Sequence, residues 1–457
     1  MAGPDFLSQL PSLEELLEQP RVKAAVERLN QSTAATRVRT ALNGLGAEVA
    51  RRAEELQSMA PTDLLDKLVR RISEPSMAVA SPAINATGQL FGGPWLGTPL
   101  AAAAIEAAHT VAAGFRIDRS GSATAVVGLL GCESAAVFSS PIAATSVALE
   151  SLAGGGTLVV NRSDMSELAP GVRLDAVCRR AGVTLCEVGA TDTATLADYE
   201  SAIEAIQSEG ASRIVVFKRL GETLPVDQAF SLADLVGLAH RHGVVCLVDA
   251  GVARPLDETP SYGSAHVSVQ AAIKDGADAV LVSSTGRLGG PVAGLLVGKS
   301  GSVQIAADSP AAKADRFEPA IDAALAATLA LFRQPDTLRF THPLYQLLDT
   351  PIENLRSRAE RLAPQIASGD EVAIATALEA PAGESASGLP SWMIRVTPSG
   401  EVKTFVEALA KRYPDFQPRV DDQHVTIDLR SVFPGQDRAI VAAFLPSHSA
   451  DNSVNLA

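Results

Sequence analysis

Between Ile84 and Arg333, short apolar runs alternate with stretches of helical periodicity, and this alternation constrains the fold more than any other feature of the chain. The runs fall at Ala135–Phe138, Thr157–Val160, Thr184–Val188, Ile214–Phe217, Val244–Val248 and Ala279–Val282. Helical stretches lie before and between them, at Pro99–Ala113, Ala143–Leu152, Val172–Ala181, Leu196–Ile206, Leu232–His242 and Val267–Asp275. Apolar runs this short, bounded by Gly, Pro and polar residues, read as buried strands. Strand and helix in strict alternation predict a mostly parallel sheet with helices on both faces, a three-layer α/β domain.

The flanks read differently. Ser12 and Glu15 form a capping box ahead of LEELLEQPRVKAAVERL, and amphipathic stretches follow around Val38–Gln57 and Thr62–Ile72. These predict a helical domain over residues 1–75, with Ser73 to Pro82 as a linker and the large α/β domain over 82–335. Beyond it, QPDTLRFTHPLYQLLDTP is a Pro-interrupted connection and Ile352–Ile366 a charged amphipathic helix. Strand-like segments at Val372–Ala375, Ser391–Val396 and His424–Leu429, with a helix at Val402–Lys411, predict a smaller α+β domain over 336–457.

Composition limits the function classes. A net charge of −14 on 457 residues argues against a surface that coats nucleic acid, because binding phosphate backbones needs a concentrated positive field. No apolar run reaches the roughly 18 residues of a membrane helix. The N-terminus carries acids where a secretion signal carries lysines, so the expectation is a cytoplasmic protein. Cys132, Cys178, Cys186 and Cys246 form no CxxC pair and have no histidines at metal spacing, which reads as buried thiols rather than a metal or redox centre.

Chemistry concentrates in a few places. VLVSSTGRLGGPVAGLLVG, Val280 to Gly298, holds two apolar runs around an insert of small polar residues, glycines and one arginine. That insert sits at a strand end, where open α/β sheets bind ligands. Asp249 closes the strand VVCLVD; it suits the holding of a protonated pyridinium nitrogen, and equally the satisfying of loop amides or the capping of a helix. Ser139-Ser140-Pro141 is a strand-to-helix turn whose amides and hydroxyls could hold a phosphate, and it is also an ordinary helix start. The histidines do not cluster, and His240 and His242 complement a helix C-terminus. Neither a Ser/His/Asp set, a zinc motif nor a P-loop is present.

Taken together, the motifs resemble bacterial selenocysteine synthase, the L-seryl-tRNA(Sec) selenium transferase family. The resemblance runs through LPSLEELLEQPRVKAAVERL, INATG at Ile84–Gly88, VCRRAGVTLCEVGATDTATLADYESAI at Val177–Ile203, and the strand ending in Asp249. It continues through LGGPVAGLLVG at Leu288–Gly298, ENLRSRAERLAPQI at Glu353–Ile366 and VTIDLRSVFPGQD at Val425–Asp437. It implies the pyridoxal-phosphate-dependent transferase fold type I, a homodimer or larger homo-oligomer, and tRNA as a partner.

The resemblance also shows what has changed. In such enzymes a lysine forms a Schiff base with pyridoxal phosphate, in a loop that usually reads SGDK before LGGP. Here SSTGR stands there, so Gly286 holds the lysine position and Thr285 that of the preceding aspartate. A glycine cannot form a Schiff base. The family's LHTNLGR segment is replaced by FGGPWLG at Phe91–Gly97, its Asn-rich phosphate turn by Ser139-Ser140-Pro141, and its RxDK-like stretch by Arg316-Phe317-Glu318-Pro319. Asp249 matches the pyridine-nitrogen aspartate. Ser139, Ser140, Ser283, Arg287 and Arg316 are the remaining cofactor-binding candidates, Arg287 because its fork suits phosphate or carboxylate. Lys218, at the end of IVVFK, is the substitute lysine considered, although a solvated or phosphate-side role outweighs a relocated Schiff base.

Two main readings follow. One is a diverged homologue that keeps the fold without the parent reaction and regulates, scaffolds or pairs with an active homologue. The other is an active pyridoxal-phosphate transferase or lyase using non-covalently held cofactor or a relocated lysine. A tRNA-binding module using Arg51, Arg52, Lys67, Arg70 and Arg71 is a weaker third, because acids surround those residues.

Overall fold

The structure, a computed structural model, describes residues 82–445 except 92–94, 96, 116–120, 191–192, 211–212, 221–229, 261, 263–266, 316 and 384–388, together with Pro20, Val22, Lys23 and Val38. Apart from those four positions, the helical domain expected over 1–75 lies outside the described residues, and so does Arg316.

In chain order, β1 (Ile84–Ala86) is followed by α1 (Ala102–Ala112), α2 (Gly121–Leu130), β2 (Ser134–Phe138), α3 (Pro141–Ala153) and β3 (Thr157–Asn161). A short hairpin, β4 (Glu167–Ala169) with β5 (Val172–Arg173), leads to α4 (Leu174–Arg180), β6 (Thr184–Val188), α5 (Leu196–Ser208) and β7 (Ile214–Arg219). Then come α6 (Leu232–Arg241), β8 (Val245–Gly251), α7 (Val269–Lys274), β9 (Ala279–Ser283) and β10 (Gly294–Gly298). Helices α8 (Ser300–Ala307), α9 (Pro310–Ala314), α10 (Pro319–Leu331), α11 (Leu338–Thr341), α12 (Pro343–Leu348) and α13 (Ile352–Ala367) precede the last elements. These are β11 (Val372–Pro381), β12 (Pro390–Pro398), α14 (Val402–Arg412), β13 (Phe416–Val420), β14 (Val425–Asp428) and α15 (Asp437–Phe444).

The larger of two compact units takes in residues 88–357 and 378–393. Its seven-stranded sheet has the order β2-β10-β9-β8-β7-β3-β6, parallel throughout except for β10, which runs antiparallel to both β2 and β9. Helix starts are fixed locally. Ser140 caps α3 ahead of Pro141, and capping boxes from Thr195 with Asp198 and from Ser231 with Asp234 open α5 and α6. Alternate strand residues feed two cores. Val216, Val248, Val280 and Leu295 pack with Leu235, Leu325 and Tyr345 on one face, while Phe217, Leu247, Leu281 and Leu296 pack with Val147, Leu149 and Val303 on the other. Burial of both faces explains why these strands read as unbroken apolar runs.

A second sheet, in which β1 pairs in parallel with β13, runs β1-β13-β14-β12-β11. Asp437, at the start of α15, takes Arg358 at 2.7 Å and Arg361 at 2.6 Å, both from α13. Two boundaries differ from the sequence reading: β1 belongs to the smaller sheet, and residues 336–357 fall within the larger unit. Strand β13 escaped notice because Pro418 sits inside it, and α2 because GSATAVVGLL mixes glycines with β-branched residues. Among the described residues, no helix is long and apolar enough to cross a membrane.

Candidate cofactor crevice

Because β10 runs against its neighbours, its first residue lies at the edge where β2, β9, β8, β7 and β3 end. That edge gathers Ser139 and Ser140 after β2, Ser283 to Pro291 between β9 and β10, Asp249 at the end of β8, and Lys218 and Arg219 at the end of β7. It is the edge at which α/β sheets take up ligands.

Register decides which of these groups meet. Arg219 is opposite Asp249 and Lys218 opposite Val248, so the arginine and the aspartate share one face while Lys218 points to the other. Arg219 Nε lies 3.3 Å from Asp249 Oδ2, and the Gly251 N–H donates to Asp249 Oδ1 at 2.9 Å. Burial, the largest influence, raises the Asp249 carboxyl above its usual range, and the Arg219 guanidinium pulls it back. Arg219 is itself fixed, donating through Nη1 to the Ser166 and Glu167 carbonyls at 3.1 and 2.8 Å.

Lys218 is 3% exposed and donates to both oxygens of Asp164, at 3.1 and 2.9 Å. Burial also raises the Asp164 carboxyl, against the lowering effect of Lys218. Lys218 is therefore paired with a buried carboxylate, one whose charge also acts on Asp249.

The insert after β9 is stitched to itself. Ser284 Oγ accepts from the Ala293 N–H at 2.8 Å and donates to the Pro291 carbonyl, while the Gly290 N–H donates to the Ser284 carbonyl at 2.8 Å. Ser283 Oγ and Thr285 Oγ1 lie 2.9 Å apart. Gly286 packs directly on the chain that follows β8: a Cβ there would lie 2.4 Å from the Val252 Cα and 2.6 Å from its Cβ. The next N–H, that of Arg287, donates to the Val252 carbonyl at 3.2 Å. Arg287 is buried, with its guanidinium 4.9 Å from the centre of the Phe91 ring.

Two residues unnoticed in the sequence hold the far side of this insert. His342 Nε2–H donates to the Leu288 carbonyl at 3.0 Å, and the Tyr345 hydroxyl donates to the Arg287 carbonyl at 2.8 Å. The His342 ring lies against Phe332 and Tyr345, and burial pushes its pKa down to about 4. Gly289 has φ +60, and a Cβ there would strike the His342 ring, so only glycine fits under that clamp. Both residues lie in the Pro-interrupted stretch, whose irregular composition gave no periodic signal.

At the head of α3, Ser140 Oγ is occupied as the N-cap, accepting from the Ala143 N–H at 3.1 Å. Ser139 donates its N–H to Asp315 Oδ2 at 2.8 Å and its hydroxyl to Asp315 Oδ1 at 2.5 Å. Burial pushes the Cys246 thiol up to about 12 and the Cys178 thiol up to about 11, which disfavours the reactive thiolate at both.

Pyridoxal phosphate does not fit these residues as the resemblance would place it. The lysine position has no room for a side chain, the Ser139 donors are taken by a carboxylate, and Asp249 is shared between an arginine and a backbone amide.

Comparison with known proteins gives a consistent pattern. The family model described as SelA, L-seryl-tRNA selenium transferase, matches residues 101–433. The L-seryl-tRNA(Sec) selenium transferase of Moorella thermoacetica is 30% identical, over 97% of this chain and 97% of that protein. That of Rhizobium meliloti (strain 1021) is 30% identical over 80% of each. Among solved structures, D-glucosaminate-6-phosphate ammonia-lyase superposes with a TM-score of 0.56 at 18% identity, covering 76% of this chain and 90% of that one. The shared architecture is the α/β fold of pyridoxal-phosphate-dependent fold type I enzymes.

Proposed function

The chain belongs to the L-seryl-tRNA selenium transferase family, and we propose that it is a diverged member that does not carry out lysine-dependent pyridoxal-phosphate chemistry. One observation carries this reading: the lysine position is Gly286, and the main chain at Val252 lies 2.4 Å from where its Cβ would stand. A lost side chain leaves a gap, whereas here the gap has been closed. The base that would move a substrate proton is lost with it, Lys218 being paired with Asp164.

The role left to the chain is binding. Its relatives are named for seryl-tRNA(Sec), so the proposed partners are a tRNA of that kind or a lysine-bearing member of the family. Self-association is supported by α1, whose exposed face carries Ala102, Ala103, Ala112 and Ile105, the last 50% exposed, beside Glu106, His109 and Thr110. A second copy covering that face would take apolar surface from water. Light scattering of the full chain, with and without Ile105→Glu, should show a smaller species for the variant.

The enzymatic reading is tested by adding pyridoxal phosphate to the purified protein, recording the spectrum before and after borohydride, and mapping lysine peptides by mass. The free-cofactor spectrum with no reduced lysine adduct is expected. A borohydride-stable adduct on Lys218 or any other lysine would establish the alternative, an active transferase or lyase with a relocated lysine.

A further inference from the structure

The loss of the lysine concerns one of three positions at the same edge, two of them replaced and one, Asp249, retained, and at each of them the chain supplies its own partner. At Gly286 the partner is the main chain of Val252; at Asp249 it is Arg219, and at Ser139 it is Asp315. The third is the one with a ligand-like geometry. Each Asp315 oxygen takes one donor of Ser139, the amide at 2.8 Å and the hydroxyl at 2.5 Å, so a single anionic group spans both donors at the head of α3.

Both sides of this contact are built. Asp315 ends α9, which is started by Ser309 accepting from the Ala312 N–H at 3.1 Å and followed by Pro310. The Asp315 N–H returns to the Ala311 carbonyl at 3.1 Å, fixing the carboxylate at the end of that short helix. On the other side, a Cβ at Gly294 would lie 2.3 Å from the Ser140 carbonyl oxygen and 2.7 Å from the Ala144 Cβ. Strand β10 is therefore pressed on the Ser139-Ser140-Pro141 turn, which cannot swing away to offer its donors elsewhere.

We infer that the Asp315 carboxylate is a built-in anion at the head of α3 that keeps phosphate-bearing small molecules out of the crevice. The inference rests on the reading of the chain as a non-catalytic family member. It adds that the anion position at the head of α3 is filled by the chain itself, so that binding of the anion as well as chemistry is blocked, and that one residue removes the block. The carboxylate comes from 176 residues away in sequence to an exposed turn, and removing it leaves two donors at a helix head facing solvent.

The test uses the full chain and two probes, inorganic phosphate and pyridoxal phosphate, followed by calorimetry for the natural sequence, Asp315→Ala and Asp315→Asn. Pyridoxal without its phosphate is the control, and thermal midpoints check folding. The natural sequence should bind neither probe more tightly than about 1 mM, and Asp315→Ala should tighten both by about tenfold or more while leaving pyridoxal unchanged. Asp315→Asn keeps the shape and loses the charge, so it should gain binding in the same direction and carries the test if the alanine variant unfolds. Equal binding of phosphate by all three proteins, or weaker binding by the variants, overturns the inference. A reduced lysine adduct in the natural sequence would instead overturn the non-catalytic reading, whatever Asp315 does.

Discussion

The two edges of the seven-stranded sheet both carry buried carboxylates at or beside strand ends, and the two sets are held in different ways. Where β8 and β9 begin, Asp278 accepts from the Cys246 N–H at 2.8 Å and from Lys299 Nζ at 2.7 Å, with His240 Nε2 at 3.1 Å. Those partners come from β8, from the residue after β10 and from α6, so the carboxylate staples three elements. Where the strands end, Asp249 pairs with Arg219 and Asp164 with Lys218, both cations from β7, and burial raises both carboxyls above their usual range. The first edge is a surface fastening with several strands to its knot. The second has the location of a ligand site, with its charges turned upon one another. A site edge needs unsatisfied groups aimed at a ligand; here Asp249, Asp164 and Ser139 take their partners from within the chain.

The comparison is sharpest where one partner can be removed. Lys218→Met leaves Asp164 buried without its cation, and breaking a buried pair in this way costs about 3–5 kcal/mol, read from urea or thermal unfolding. A cost near zero would mean that the site edge is wetter than its burial implies.

The next largest effect depends on pH. His342 has a folded pKa of about 4 against its ordinary 6.5, so the unfolded chain binds a proton that the folded chain refuses. Its contribution is intact above pH 6.5 and is lost as pH falls toward 4, with a limit of about 3 kcal/mol. His342→Phe keeps a ring against Phe332 and Tyr345 and should flatten that part of the stability–pH curve. An unchanged slope would place the titration elsewhere.

Gly286→Ala adds a methyl against main chain, an overpacking that costs about 1–3 kcal/mol in unfolding experiments. At the opposite edge, Lys299→Ala removes a side chain that is 42% exposed, and Asp278 keeps the Cys246 amide and His240. The expected cost is below about 1 kcal/mol and should shrink further with salt. If Lys299→Ala matched Lys218→Met, the distinction between the two edges would collapse.

Much of this was legible in the sequence, within definite limits. The six apolar runs became six strands of the large sheet because burial on both faces leaves an unbroken apolar signature, and Asp249 stands out as a charge closing such a run. The runs on either side of the Ser283–Pro291 insert became β9 and β10. What could not be read depends on register and on contacts distant in sequence. That Lys218 faces away from Asp249 follows only from the pairing of β7 with β8, because a shift of one residue would exchange it with Arg219. The bond from Asp315 to Ser139 spans 176 residues, and no local pattern encodes it. His342 and Tyr345 reach the insert from a stretch without periodicity, and the closeness of Val252 to Gly286 is a property of backbone paths, not of either residue type.

The central claim is that the chain has closed over the lysine position rather than merely lost a side chain there, and restoring the side chain tests it most directly. Gly286→Lys, purified with pyridoxal phosphate, reduced with borohydride and mapped by mass, should be less stable than the natural sequence and carry no adduct at position 286. A variant of unchanged thermal midpoint that traps the cofactor at that position would contradict the account.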